Sequence, residues 1–316
     1  MNKSIETRSF CIIYDQRAEG DAALQEGVDR IRGLGHIVFL KKIDEPIDAT
    51  RYASEASEQG ADTVVAVGGD GMLNLVANGI LQGRKDARCA VGLVPFGTGN
   101  DFAGASGIPL NDSLGALDVI IRATPVPIDV GRVNDTYFIN VVTGGFPAEA
   151  AAETPGISKE FLGGFAYFLT GLAKIGSLAA RNVRFTGPGF EWKGESYAFS
   201  FGNGRRAGGG FKVSPHARIN DGLMDLMIVP ESEEGLLPLI REFARVSNLG
   251  STEKIVYVQV PWIDLDSPET IHLNVDGEPV KGRNFHFKIH PLKLPFHLPE
   301  NSPVLCLPHE RVDVSK

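Results

Sequence analysis

The feature that most constrains the fold is a change of pattern near residue 128, from strands that alternate with helices to strands that follow one another. Before this point, segments with helical spacing separate the apolar runs SFCIIYD (9–15), HIVFLKK (36–42), VVAV (64–67) and VGLVP (91–95). Alternation of this kind is typical of a parallel sheet whose ligand crevice lies at the carboxyl ends of the strands. We therefore predict an α/β N-terminal domain over residues 1–127.

The second part of the chain is rich in strands. After a helical segment, SLGALDVIIRA (113–123), short turn signals separate apolar runs such as SYAFSFGN (196–203), LMDLMIVP (223–230) and TIHLNVDG (270–277). This pattern predicts an all-β, mostly antiparallel and sandwich-like domain over residues 128–299. We expect the tail, residues 300–316, to pack back on the first domain.

Charge and composition exclude some classes of function. The formal charge of −8 argues against a nucleic-acid partner held by bulk electrostatics. Three cysteines, far apart and odd in number, predict neither a disulfide framework nor a zinc site and favour the cytoplasm. The first ten residues contain no apolar segment typical of a secretory signal. The stretch 161–180 approaches membrane length, but Lys174 and four glycines favour a half-buried helix over a spanning one.

Two glycine-rich turns follow predicted strands. One is GGDG, Gly68 to Gly71, and the other lies in PFGTGNDF (95–102), which adds a threonine hydroxyl and an Asn-Asp pair. Glycine turns let backbone amides approach a phosphate, and the following helix adds its partly positive N-terminus. Because both turns end parallel strands, one ligand could contact both. The alternatives are a plain connection in which Asp70 caps its own helix, and an ordinary loop.

Two further clusters lie in the strand-rich part. Residues 200–226, SFGNGRRAGGGFKVSPHARINDGLMDL, hold five glycines between Gly202 and Gly210 and a local group of basic residues. Asp221 within INDG offers a carboxylate to a hard cation such as magnesium. NVDGEP (274–279) presents Asp276 and Glu278 in a turn. A solvated loop and a simple hairpin are the alternatives.

Taken in order, these motifs resemble those of the bacterial diacylglycerol-kinase-like lipid kinases, which include phosphatidylglycerol kinase-like members. The motifs that carry the resemblance span residues 64–280 and are VGGDGM, LVPFGTGNDFAGASGIP, IDVGRVN, NVVTGGFPAE, GNGRRAGGGFKVSPHARINDGLMDL and NVDGEP. NAD kinases and phosphofructokinases share GGDG, whereas the order of the remaining motifs selects lipid kinases. The resemblance implies a two-domain enzyme that holds its nucleotide between an NAD kinase-like or diacylglycerol kinase-like α/β domain and a β-sandwich.

The resemblance also implies roles for individual residues. It assigns Glu278 as the proton acceptor and places Asp70 near magnesium. It assigns a structural magnesium ion to the carboxylate of Asp221 and the backbone carbonyls of Arg218 and Leu223. The implied contacts to ATP come from Gly68, Gly69, Asp70, Gly71, Met72, Asn74, Thr98, Asn100 and Asp101.

The implied reaction is transfer of the γ-phosphate of ATP, with Mg²⁺, to the hydroxyl of diacylglycerol or a related glycerolipid such as phosphatidylglycerol. Such an enzyme is expected in the cytoplasm, peripheral at the inner face of the membrane. The segment EFLGGFAYFLTGLAKIG (160–176), with Phe165 and Phe168, is a candidate for the lipid entrance, and a core helix is the alternative. A homodimer is left open.

The chain departs from the family pattern GGDGTxNE at two positions. Met72 and Leu75 stand where the family has a hydroxyl and a glutamate, and only Asn74 is kept. This departure motivates a second hypothesis, a catalytically weak protein that binds lipid or nucleotide. A soluble-substrate kinase of the NAD kinase type is a third hypothesis, which the GTGNDF form disfavours.

Overall fold

A computed structural model of the 316-residue chain describes residues 7–83, 89–145, 180–232 and 254–306. The chain divides into two compact units. The first comprises Met1–Ile128 and Leu292–Pro303, and the second comprises Asp129–Pro291 and Val304–Lys316.

The segment that returns to the first unit is thus Leu292–Pro303, earlier in the chain than the tail 300–316 that the sequence suggests. Its apolar side chains explain the difference. Leu294, Phe296 and Leu298 are at most 3% exposed, so this segment forms part of the apolar core of the first unit.

The first unit alternates strands and helices along the chain. Its elements are β1 (Ser9–Tyr14), α1 (Ala22–Gly33), β2 (Ile37–Lys42), α2 (Pro46–Glu58), β3 (Thr63–Gly68), α3 (Asp70–Gln82), β4 (Ala90–Pro95), α4 (Asp101–Ser106) and α5 (Ser113–Arg122), with a 3₁₀ turn at Gln16–Ala18.

The strands of this unit form a parallel sheet in the order β4-β3-β1-β2. Every residue of β3 and of β4 is buried, which explains why their sequences are continuous apolar runs. Phe296 of the returning segment pairs in parallel with Val91 of β4. The carboxyl ends of β3 and β4 therefore lie side by side, where both glycine turns begin.

Helix α1 buries one apolar stripe, except at its end. Leu24, Val28 and Ile31 are buried, whereas Leu34 is 40% exposed because the helix ends at Gly33 and Leu34 is its C-cap. Helices α2 and α3 approach closely at Gly79. A β-carbon placed on Gly79 would lie 2.3 Å from the carbonyl oxygen of Thr50, so only glycine permits this packing.

The second unit is built from strands. They are β5 (Val126–Val133), β6 (Thr136–Phe138), β7 (Val141–Gly145), β8 (Arg181–Gly187), β9 (Phe190–Gly202), β10 (Arg206–Ala207), β11 (Phe211–Lys212), β12 (Met224–Pro230), β13 (Val256–Val260), β14 (Trp262–Val275) and β15 (Glu278–Phe296). The first three residues of β5 and the end of β15 belong to the first unit.

The pairing of these strands is antiparallel. Strand β9 pairs with β12, β7 and β8, and strand β14 pairs with β7, β8 and β15. Strands β7 and β8 therefore both lie between β9 and β14. Phenylalanines fill the core, and the rings of Phe201 and Phe287 stack with centroids 3.7 Å apart. The β5-β6 hairpin turns at Asn134, whose φ is +49°.

Two sequence-based expectations concern membranes. Within the ranges that the structure describes, no helix is long and apolar enough to cross a bilayer. The segment 160–176, with Phe165 and Phe168, lies outside the described residues, and its role at a lipid entrance stays a prediction.

Candidate active site

The two glycine turns of the first unit pack against each other. Strand β3 ends at Gly68, Gly69 is the N-cap of α3, and the N–H of Phe96 donates to the carbonyl of Gly68 at 2.9 Å. A β-carbon placed on Gly97 would lie 2.5 Å from the Cα of Gly69. The two turns therefore touch backbone to backbone, and their amides border the same edge of the sheet.

Asp70 connects these turns through its side chain. Its Oδ2 accepts the N–H of Asp101 and its Oδ1 accepts the N–H of Phe102, both at 2.9 Å. The alternative in which Asp70 caps its own helix is wrong, because Gly69 takes that position and the Asp70 carboxylate instead accepts the first two amides of α4. A carboxylate with four lone pairs that accepts two hydrogen bonds keeps capacity for a cation.

Asn100 gives the second turn its shape. Its backbone is left-handed, with φ of +50°, and its side chain closes on Gly97, accepting from the N–H at 3.0 Å and donating to the carbonyl at 2.6 Å. This ring leaves Thr98 and Gly99 exposed at the tip. The tip of this turn is therefore accessible to solvent.

Two residues in the first turns of α3, Met72 and Asn74, are buried in the unit. Met72 is 7% exposed and packs under Gly68, and Asn74 is 6% exposed, with its carbonyl accepting from the side-chain amide of Asn78 at 3.0 Å. Leu75 is half-buried, and its carbonyl accepts from the hydroxyl of Thr50 at 3.2 Å. The predicted nucleotide residues Met72 and Asn74 are therefore core positions of α3.

In the second unit, the INDG turn is held by hydrogen bonds on both sides. The N–H of Leu223 donates to Asp221 Oδ1 at 3.0 Å, and the N–H of Gly222 donates to Asp129 Oδ2 at 2.6 Å. The guanidinium of Arg218 donates to the carbonyl of Leu305 at 3.0 Å. The structure thus brings the residues of the predicted metal site, 218, 221 and 223, into one turn.

The electrostatics of this turn fit a bound cation. Burial raises the pKa of Asp221 to about 6, and the nearby charge of Asp129 adds to the shift. Because burial disfavours the charged form of this carboxylate, an adjacent cation would stabilise that form. Magnesium prefers oxygen donors such as a carboxylate and carbonyls. Within the described ranges, no group of three or more His, Cys, Asp or Glu side chains is placed to hold a metal, so carbonyls would have to complete this site.

The NVDGEP turn of the second unit is anchored by Asp276. Its carboxylate accepts the N–H groups of Ile139 at 2.6 Å, of Asn140 at 3.1 Å and of Val141 at 2.8 Å. Asp276 has φ of +47° and Gly277 has φ of +102°, as a tight turn between β14 and β15 requires. Glu278 follows directly and is exposed.

Sequence reasoning missed three buried polar residues that connect these motifs, although each stands in a motif quoted above. Asn203 donates to the carbonyls of Asp129 at 3.1 Å and Ile139 at 2.7 Å. The N–H groups of Asn203 and Gly204 both donate to the carbonyl of Asn140. The IDVG, NVV and GNG segments are thus joined through Asp129, Asn140 and Asn203. The signal that the sequence offered was the polar residue in each of these motifs, since a polar residue that becomes buried needs hydrogen-bond partners.

Comparisons with known proteins match both units. A diacylglycerol kinase catalytic domain model matches residues 9–133, and a YegS C-terminal NAD kinase beta sandwich-like domain model matches residues 140–296. Curated relatives from Yersinia pestis (strain Pestoides F) and Yersinia pseudotuberculosis serotype O:1b (strain IP 31758) are 38% identical over 295 residues. The match covers 93% of this chain and 98% of each relative, and both relatives carry the name "Probable lipid kinase YegS-like".

Solved structures share the fold. A crystal structure from Bacillus anthracis str. Sterne aligns with a TM-score of 0.79 at 21% identity, covering 93% of this chain and 98% of that one. Another from the same organism, described as a diacylglycerol kinase, aligns with a TM-score of 0.73 at 19% identity and the same coverage.

An α/β unit with paired glycine turns, followed by a β-sandwich-like unit, defines the class of diacylglycerol kinase-like enzymes. This chain belongs to the YegS-like family of that class, and it is a kinase. The resemblance drawn from the sequence motifs is confirmed, and the family models agree with a catalytic domain followed by a β-sandwich-like domain.

Proposed function

We propose that this enzyme transfers the γ-phosphate of ATP to the hydroxyl of a glycerolipid, diacylglycerol or phosphatidylglycerol. The names of its curated relatives support a lipid acceptor. The observation that carries the phosphoryl-transfer part is the contact between the two glycine turns, in which Asp70 bridges to the first amides of α4.

Phosphoryl transfer depends mainly on positioning and on stabilising charge. The amides of Gly68 to Gly71 and of the turn around Thr98 are hydrogen-bond donors for the phosphates. The N-terminus of α3, a helix of 13 residues, adds a partial positive charge at the same edge. These donors explain how a protein of net charge −8 can hold a polyanion.

We assign the proton-accepting role to Glu278. A bond forms between the lipid oxygen and the γ-phosphorus while the bond from that phosphorus to ADP breaks, and the hydroxyl proton passes to the carboxylate. Glu278 is exposed, and Asp276 fixes the turn that presents it. A general base of this kind contributes roughly 10² to 10⁴ in rate.

Magnesium is part of the proposal. When bound, it would neutralise phosphate charge beside Asp70 and stabilise the INDG turn through Asp221 and the carbonyls of Arg218 and Leu223. The enzyme is proposed to meet its lipid at the cytoplasmic face of the membrane, as a peripheral protein.

The test is transfer of labelled γ-phosphate from Mg-ATP to lipids in mixed micelles, with diacylglycerol, phosphatidylglycerol, ceramide and sphingosine in separate reactions. We expect a labelled glycerolipid that Glu278→Gln reduces at least a hundredfold. Glu300→Gln changes a similarly exposed carboxylate and should keep full activity. Folded wild-type protein that labels none of the lipids would contradict the proposal.

A catalytically weak binding protein is the second candidate, because Met72 and Leu75 replace a hydroxyl and a carboxylate. Met72 is buried under Gly68, so a threonine there would lie below the turn surface, whereas Leu75 is half-buried. If this candidate is right, Met72→Thr with Leu75→Glu should raise transfer sharply from a low level. An active wild type that gains nothing from the two changes would eliminate it.

A further inference from the structure

A cavity of about 510 Å³ lies in the first unit, at the amino ends of the parallel strands. Arg8 directly precedes β1 and His36 directly precedes β2, and the carboxyl-terminal parts of α1 and α5 complete its walls. The glycine turns lie at the other ends of the strands, and six residues of strand span about 20 Å. The proposed reaction therefore does not use this cavity.

Positive charge exceeds negative charge around the cavity. Arg8, Arg30 and Arg122 contribute three guanidinium groups, and Asp118 contributes the one carboxylate among the lining residues that the structure describes. That carboxylate is shared, since it lies 2.8 Å from Nη1 of Arg30 and 3.5 Å from Nη2 of Arg122. One carboxylate neutralises only one of the three charges, so the two ion pairs still leave a surplus of two positive charges.

Helix stability does not explain all of these arginines. Basic side chains near the carboxyl ends of helices interact favourably with the helix dipole, which accounts for Arg30 and Arg122. Arg8 precedes a strand instead, and its guanidinium donates to the carbonyl of Ile121 at 2.5 Å. A guanidinium has five N–H donors, so Arg8 keeps donors for a ligand in the cavity.

His36 adds a buried donor to the cavity wall. It is 7% exposed, and its Nδ1 accepts the N–H of Arg8 at 3.2 Å, so the neutral ring carries its hydrogen on Nε2. Burial and the charge of Arg8 lower the pKa of His36, whereas Asp62 acts in the opposite direction. Within the described part of the chain, Nε2 has no hydrogen-bond partner. This donor thus needs an acceptor from outside the chain.

We propose that this cavity binds a phosphate monoester. Such a group carries a charge of about −1.5 to −2 at pH 7, which matches the surplus of positive charge, and it has three strong acceptor oxygens. Arginine binds phosphate through paired N–H donors, and the Nε2 hydrogen of His36 adds another donor. Leu34 and Ile121 offer apolar contacts to the carbon substituent of the ester.

Two sources supply this chemistry. One is a soluble monoester such as glycerol 3-phosphate, and the other is a lipid headgroup such as that of phosphatidic acid. A lipid ligand would belong to the class that the proposed reaction produces, and only this source rests on the proposed function. Separate binding measurements distinguish the two.

The experiment measures binding of glycerol 3-phosphate to the full chain by titration calorimetry, with glycerol as the neutral control. Flotation with phosphatidylcholine vesicles, with and without phosphatidic acid, tests the lipid source. We expect saturable binding of at least one phosphate monoester, which Arg122→Met weakens roughly tenfold. Arg51→Met is the matched control, because Arg51 of α2 is likewise exposed and ion-paired, with Asp48 at 2.6 Å, yet lies outside the cavity.

A change at Asp118 tests the charge argument in the opposite direction. Asp118→Asn removes the carboxylate that competes for Arg30 and Arg122, so it should tighten binding roughly threefold or more. Loss of a merely structural ion pair would not strengthen binding. Thermal unfolding of each variant checks that it is folded, and no measurement depends on kinase activity.

Three results would overturn the proposal. The first is folded wild-type protein that binds neither probe. The second is binding that Arg122→Met leaves as strong as Arg51→Met does, which would place the phosphate elsewhere, for example at the glycine turns. The third is an Asp118→Asn variant whose affinity is unchanged or reduced.

Discussion

The carboxylates of two aspartates in the predicted motifs accept hydrogen bonds from backbone amides. Asp70 holds the first two amides of α4, and Asp276 holds three successive amides at residues 139 to 141. Hydrogen bonds from amides to a charged acceptor are stronger than those between neutral groups. Both residues therefore stabilise the shape of a turn, whatever further contact they make with a substrate or a cation.

We predict that Asp276→Asn lowers stability by about 2 to 4 kcal/mol, because an amide replaces an acceptor oxygen with a donor that faces an N–H group. Asparagine tolerates the positive φ of this position, so the change isolates the hydrogen bonds. Urea unfolding measures the effect. Asp135→Asn, in the exposed β5-β6 turn, is the control and should cost little. Equal stability of both variants would contradict the anchoring role.

Among the elements, the contact of the two glycine turns has a steric basis. We predict that Gly97→Ala destabilises the protein by about 1 to 3 kcal/mol, because the new methyl group would meet the backbone of Gly69. Gly71→Ala should not destabilise, since a β-carbon there meets nothing within 4 Å. Thermal unfolding compares the two alanine variants. Loss of stability in Gly71→Ala alone would show that the turns do not restrict each other.

Much of this arrangement could be predicted from sequence, because it depends on local patterns. Glycine spacing and continuous apolar runs indicate the turns at Gly68 and Gly97 and the strands that they follow. The bond from Asp70 to α4 could not be predicted, since it joins residues 31 and 32 positions apart. Nor could the exposure of Phe39, because HIVFLKK reads the same at the edge of a sheet as near its centre.

At the scale of the whole molecule, the first unit depends on residues from near the end of the chain. His297 is buried and contacts both the hydroxyl of Thr63 in β3 and the carbonyl of Ala123, each at 3.0 Å. The carbonyl can only accept, so Nδ1 of the neutral ring carries the hydrogen and Nε2 accepts from Thr63. The returning segment is thereby hydrogen-bonded on two sides.

This ring predicts a pH dependence of stability. Burial lowers the pKa of His297 from 6.5 to about 4. Between these values the unfolded chain binds a proton that the folded protein does not, so stability falls as pH decreases from 6.5 toward 4, by on the order of 3 kcal/mol. Denaturant unfolding at several pH values should show a flatter profile for His297→Gln. Identical profiles would contradict the assignment.

We also predict that Phe296→Ala costs about 3 to 5 kcal/mol, because its ring is fully buried against Phe102 with centroids 5.1 Å apart. Hydrogen exchange should show the loss of protection in β4, far from residue 296 in sequence. Leu292→Ala, at a 40% exposed residue of the same segment, is the control. Protection that changes only near residue 296 would argue against a shared core.

The returning segment has a consequence for biosynthesis. A ribosome makes residues 1 to 128 first, yet the apolar face that receives Phe296 stays uncovered until Leu292–Pro303 has been translated and has left the exit tunnel. Domains usually fold as units in the order of their synthesis, and a newly made chain with exposed apolar surface is a target for chaperones. The α/β unit therefore stays unfinished while residues 129 to 291 are translated, and its apolar core is complete only after Leu292–Pro303 has emerged.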